Sequence, residues 1–81
     1  MSTKLKFKRI YAGYYKAVYK GNIVEVIRTD YDDNTYAWYY QINGSDVHDH
    51  YNYKSSAVYA AKETLNELTG CSIRTTEIFK H

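Results

Sequence analysis

The stretch YYKAVYKGNIVEVIRT, Tyr14 to Thr29, decides the fold, because it reads as two extended runs joined by a turn. Aromatic and β-branched residues fill both runs, and such side chains suit a pleated, half-buried surface. Between the runs, Gly21-Asn22 readily takes the positive φ angles of a two-residue hairpin turn. That turn sets Tyr19 across from Val24, Ala17 from Val26 and Tyr15 from Arg28, one mainly apolar face. Tyr14, Lys16, Val18, Glu25 and Ile27 then share the opposite face.

Toward the C-terminus, the polar turn DYDDNT, Asp30 to Thr35, leads into YAWYYQI, Tyr36 to Ile42. Period-two alternation sets Tyr36, Trp38, Tyr40 and Ile42 on the core side and Ala37, Tyr39 and Gln41 on the other. Asn43-Gly44 follows, one of the strongest short-range hairpin signals. Continuing DVHDHY as the return strand turns Val47 inward opposite Tyr40. It sets His48 opposite Tyr39 and His50 opposite Ala37 on the outer face.

After Tyr53 the apolar period lengthens to about 3.6 residues, the signature of an amphipathic helix. Ala57, Ala60, Ala61, Thr64, Leu65 and Leu68 form its buried stripe, and Lys62, Glu63, Asn66 and Glu67 face water. Ser55 is the expected N-cap and Gly70 the left-handed stop, with Cys71 packing back near Leu65. Alanines on the helix let it approach the sheet, where Trp38, Tyr40 and Tyr36 supply the bulk. The tail from Cys71 to His81 has no clean period, so an edge strand, docking against the domain and exchange with a second copy all stay open.

The 81 residues, 44% hydrophobic and 25% charged, suffice for one small domain with one core. No stretch approaches the roughly 20 apolar residues of a membrane span. The N-terminus lacks the apolar region of a signal peptide, so the expected location is the cytoplasm. The single cysteine fits a reducing compartment. Of eleven basic residues, Lys4, Lys6, Lys8 and Arg9 open the chain, whereas all nine acids lie at Glu25 or later. The remainder is therefore slightly acidic, unlike a dedicated DNA-binding domain. Attraction to nucleic acid would rest on residues 1–9, read as a basic arm or a first strand.

Eleven tyrosines against no proline suit a half-wet sheet, and they also furnish stacking or protein-contact surface. His48 and His50, two apart on a strand, could offer two metal ligands beside Asp46, but structural zinc needs four and no complement is evident. Solvent-facing polar residues are the plainer reading. In DYDDNT, Asp30, Asp32 and Asn34 match early calcium-loop spacings, yet Thr35 stands where glycine is needed and Gln41 where glutamate is needed. Cys71 follows a helix C-terminus, where the dipole opposes a thiolate, and Ser45 near His48 lacks an orienting third group. No glycine-rich phosphate loop is present. The chain is therefore expected to be non-enzymatic, with no cofactor or metal.

From Tyr36 to Ala61, the sequence resembles AP2-type and phage-integrase N-terminal DNA-binding domains, a likeness carried by Trp38, Tyr53, Ser55, Ala57, Ala60 and Ala61. The resemblance implies a helix packed across a sheet whose far face enters the DNA major groove. Here that face offers no arginine cluster, and Trp38 is expected to face inward. The short, tyrosine-rich plan is also similar to small phage proteins, many of which bind host or phage proteins.

The expectation is a single α+β domain: an antiparallel sheet of three or four strands within residues 10–53, one helix with its cap over 55–69 packed on one face, and a C-terminal extension over 70–81. A partner protein would meet the outer face at Tyr14, Lys16, Tyr39, Gln41, His48 and His50. The alternative partner is nucleic acid, held by Lys4, Lys6, Lys8 and Arg9 together with the tyrosine face. Protein is favoured because residues 10–81 are slightly acidic, and self-association could use the C-terminal extension.

Overall fold

In the computed structural model, residues 4–45 and 49–79 are described. The elements are β1 (Lys4–Tyr11), β2 (Tyr14–Tyr19), β3 (Asn22–Asp30), β4 (Tyr36–Ile42), α1 (Lys54–Thr69) and β5 (Thr75–Phe79). They form one helix and one five-stranded sheet in the order β4-β3-β2-β1-β5. The α+β class matches the sequence reading, but the sheet has five strands rather than three or four, and it is mixed. β1 to β4 run antiparallel to their neighbours, whereas β5 lies parallel to β1.

The first strand arises from a strict alternation, Lys4-Leu5-Lys6-Phe7-Lys8, with Leu5 and Phe7 fully buried and the lysines exposed. The basic N-terminal segment is thus a strand of the sheet, with β2 on one side and β5 on the other. Parallel strands need a crossover connection, and α1 with the segment 70–74 supplies it.

The β2–β3 turn falls one residue earlier than the dipeptide suggests. Lys20 and Gly21 carry its two positive φ angles, 50° and 80°, and Asn22 already pairs with Tyr19. Ala17 therefore faces Val24, and Tyr15 faces Val26. The difference is two residues, an even number, so every side chain keeps the face assigned to it. Asn22 has another use: its side chain accepts a hydrogen bond from Asn43 Nδ2 at 2.9 Å, while Asn43 Oδ1 accepts from the Ile23 N–H at 2.9 Å. These bonds stitch the β2–β3 turn to the Asn43-Gly44 turn.

Two further turns complete the sheet. Ala12-Gly13 closes the β1–β2 hairpin, with Gly13 at φ 86° and its carbonyl accepting from the Arg28 N–H at 2.8 Å. In the β3–β4 loop, the Asp33 carboxylate accepts from the Thr35 hydroxyl and backbone N–H, which lowers the Asp33 pKa. That is a solvated turn, as its sequence implies.

The helix packs on one sheet face over Trp38, Tyr40, Ile42, Val24 and Val26, with Tyr15, Ala17, Leu5 and Phe7 continuing the core. The half-buried Tyr40 hydroxyl meets Thr64 Oγ1 at 2.7 Å, so the bulky side chain leaves no orphaned polar group. Ala57, Ala61 and Leu65 are buried as expected, but the stripe is rotated. Val58 and Lys62 (8% exposed) lie inside it, whereas Leu68 is 59% exposed. The cause is the segment after the helix. Ile73 packs into the core, and Lys62 buries its stem and donates from Nζ to the Arg74 carbonyl at 3.5 Å.

The helix ends also differ. Tyr53 occupies the N-cap with extended backbone and no side-chain cap bond, and Ser55 lies in the first turn. Gly70 is left-handed at φ 69°, and its N–H bonds the Asn66 carbonyl, the stop that glycine was expected to provide. Beyond it, Asn66 Nδ2 donates to the Ile73 carbonyl at 3.0 Å, and Asn66 Oδ1 accepts from the Ile73 N–H at 2.8 Å. One amide thus pairs with the chain as a strand neighbour would, and it starts β5 on its course beside β1.

Candidate functional site: the outer sheet face

The sheet face opposite the helix is ordered in transverse rows, because aligned residues of neighbouring strands project together. One row runs Tyr11, Tyr14, Ile27, Tyr39 through successive strand pairings. His50 extends it beyond β4, its ring centroid 5.7 Å from that of Tyr39. The next row runs Lys8, Lys16, Glu25, Gln41. Farther on, Val18 and Ile23 stand opposite each other, 63% and 38% exposed. Along a strand, adjacent rows are two residues apart, about 7 Å.

Tyr14 and Lys16 therefore share the face with Tyr39 and Gln41, as the alternation implied. Lys4, Lys6 and Lys8 join them, because β1 belongs to the same sheet. Arg9 does not. It pairs with Tyr15, whose ring is in the core, and so points to the helix side. His48, Asp46 and Val47 lie outside the described residues. Among the described residues on either side, two isolated bridges meet β4, Ile42 with Ser45 and Trp38 with Tyr51. Trp38 and Tyr51 exchange both backbone hydrogen bonds at 2.8 Å, which makes Tyr51 rather than Asp49 the partner of Trp38. His50 is exposed beside Tyr39 instead of opposite Ala37.

Tyr11 is a member of this face that the alternation does not reveal. Counting inward from Leu5 and Phe7 puts Tyr11 toward the helix. The register slips at Ile10, between the Arg9 and Tyr11 pairings, and that β-bulge rotates Tyr11 outward. Its ring centroid lies 5.1 Å from that of Tyr14, and the residue is 64% exposed. The Ala12-Gly13 pair is the one sequence signal for this tight turn.

The face's electrostatics are asymmetric. Lys8 stands directly opposite Lys16, a like-charge cross-strand pair that costs stability in the free protein. Lys16 is followed by Glu25, whose carboxylate accepts a hydrogen bond from the Tyr14 hydroxyl. That bond, aided by burial and the carboxylate's charge, pushes the Tyr14 pKa up to about 12, so the phenol stays protonated and its ring is held in place. At the sheet's edge, Lys4 pairs with Glu77 at 3.1 Å. Among the described residues, four lysines and two glutamates thus occupy the face, whereas the solvent side of α1 carries Glu63 and Glu67.

Elsewhere, Cys71 is half-buried outside the core rather than packed with Leu65. Lys20 Nζ donates to its Sγ at 3.0 Å, and this contact, followed by the Thr69 hydrogen bond, lowers the thiol pKa despite the helix C-terminus. Among the described residues, no group of three or more His, Cys, Asp or Glu side chains could hold a metal ion. Among them too, no helix is long and apolar enough to cross a membrane. No protein-family model matches the chain, and no curated protein or solved structure is significantly similar to it.

Proposed function

We propose that the chain is a non-enzymatic nucleic-acid-binding module that uses the outer face of its sheet. The observation that carries this reading is the alignment of Lys6, Lys8 and Lys16 on the same face as Tyr11, Tyr14 and Tyr39. Lysines bind phosphates through charge and displaced counterions, and aromatic rings add base contacts that tolerate any sequence. Counted apart from residues 1–9, residues 10–81 are slightly acidic, which favours a protein partner. With β1 inside the sheet, its lysines share a face with the tyrosines, which supports the nucleic-acid reading.

A salt series tests the reading. Full-length protein is expected to bind an oligonucleotide at low salt, with log affinity falling linearly against log salt. Lys6→Ala with Lys8→Ala should flatten that slope by roughly 1.4, about 0.7 for each lost phosphate contact on a single strand. Both side chains are exposed, so the fold should survive. Lack of measurable oligonucleotide affinity at low salt would sink the reading. The exposed Val18–Ile23 pair would then favour a protein partner, since apolar contact on a sheet face suits that class.

A further inference from the structure

We infer that the ligand of this face is a single strand laid across the β-strands, its bases on the tyrosine row and its phosphates along Lys8 and Lys16. The inference rests on the nucleic-acid reading above and goes beyond it in strandedness and direction. Base stacking on a protein ring needs an exposed base face, which a duplex interior withholds and an unpaired strand offers.

The platforms are suitably disposed. Tyr11 and Tyr14 form one cluster, tilted 50° to each other, and Tyr39 and His50 form a second, also tilted 50°. Ile27 lies between them and offers an apolar floor. Tyr14 and Tyr39 are two strand spacings apart, about 10 Å. A strand following this row crosses the β-strands at nearly a right angle. Its backbone then runs parallel to the neighbouring row, about 7 Å away, where Lys8 and Lys16 oppose one another.

The same row gives the arrangement its polarity across the sheet. A phosphate between Lys8 and Lys16 neutralises two like charges that otherwise repel, so binding relieves a cost the free protein carries. Glu25, next in line, repels phosphate and limits such contacts to the β1–β2 half. Over β3 and β4 the strand is held through its bases. Duplex DNA, whose phosphates flank every groove, would bring its backbone against Glu25 as well.

Fluorescence anisotropy with full-length protein tests this, using a fluorescein-labelled oligothymidylate and the same strand annealed to its complement, both at low salt. The single strand should bind at least ten-fold more tightly. Tyr39→Ala should weaken single-strand binding by roughly 5- to 150-fold, the range for one lost base stack, whereas Tyr39→Phe should retain it. Tyr11→Ala, at an exposed position outside the core, should weaken it in the same direction with the fold retained and only a small loss of melting temperature from the lost Tyr14 contact. Equal affinity for the duplex, or indifference to Tyr39→Ala and Tyr11→Ala with continued dependence on the lysines, would overturn the single-strand inference and leave the nucleic-acid reading standing. If neither oligonucleotide binds, both fall.

Discussion

Phe7→Ala is expected to remove a large share of the domain's stability, and Lys6→Ala, one residue away, almost none. Among the described residues, Phe7 is the largest fully buried side chain, and it lies on a strand paired on both sides. Truncating such a phenylalanine costs about 3–5 kcal/mol, through lost burial and the cavity left behind. A domain of this size is stable by only about 4–12 kcal/mol. Lys6 is exposed, and surface substitutions of that kind usually stay within about 0.5 kcal/mol. Urea unfolding of the two variants measures the contrast. A basic arm free of the sheet would instead make both changes silent. The same packing means that the basic segment cannot be deleted to test its charge, because Leu5 and Phe7 would leave with it.

Asn66→Ala is expected to detach β5 before it unfolds the rest. The substitution removes both hydrogen bonds that hold Ile73 and leaves its half-buried N–H and C=O unpaired, a loss of roughly 2–4 kcal/mol. β5 has a single strand neighbour, β1, so the effect should appear first as faster amide exchange in residues 75–79, ahead of the β2–β3 amides. Asn66→Asp keeps the acceptor for the Ile73 N–H but sets a carboxylate against the Ile73 carbonyl, so it should recover little. Uniform exchange across all five strands in Asn66→Ala would show that this amide does not anchor the tail.

The parts of the fold legible in the sequence are those that local periodicity determines. The faces of β2 and β3, and of Trp38, Tyr40 and Ile42 on β4, follow from alternation, and the earlier turn leaves them unchanged because the register differs by an even number of residues; Tyr36, expected to add bulk inside, is 53% exposed. β1 was equally legible in Lys-Leu-Lys-Phe-Lys, yet its charge competed with its period, and a basic arm explained the charge as well. β5 was not legible. The segment TTEIF has little alternation, and parallel pairing with β1 depends on Asn66 and Ile73, which the linear pattern does not bring together.

The same distinction separates the site residues. Tyr14, Lys16, Tyr39 and Gln41 fall on one face because nothing interrupts their strands. Tyr11 needs the bulge at Ile10, and His50 follows from the pairing of Tyr51 rather than Asp49 with Trp38. Lys62 and Leu68 exchanged roles because the helix is covered by a segment whose docking has no period of its own. In each case a non-local contact overrode a local pattern.

The central claim, that the outer sheet face binds nucleic acid, is tested most directly by mapping backbone amide shifts in a ¹H–¹⁵N spectrum as oligothymidylate is added at low salt. The account predicts perturbations concentrated at Lys8, Tyr14, Lys16, Ile27 and Tyr39, with the exposed helix residues Tyr59, Glu63 and Glu67 unmoved. Perturbations centred on the helix, or a spectrum unchanged at the highest oligonucleotide concentration, would contradict it.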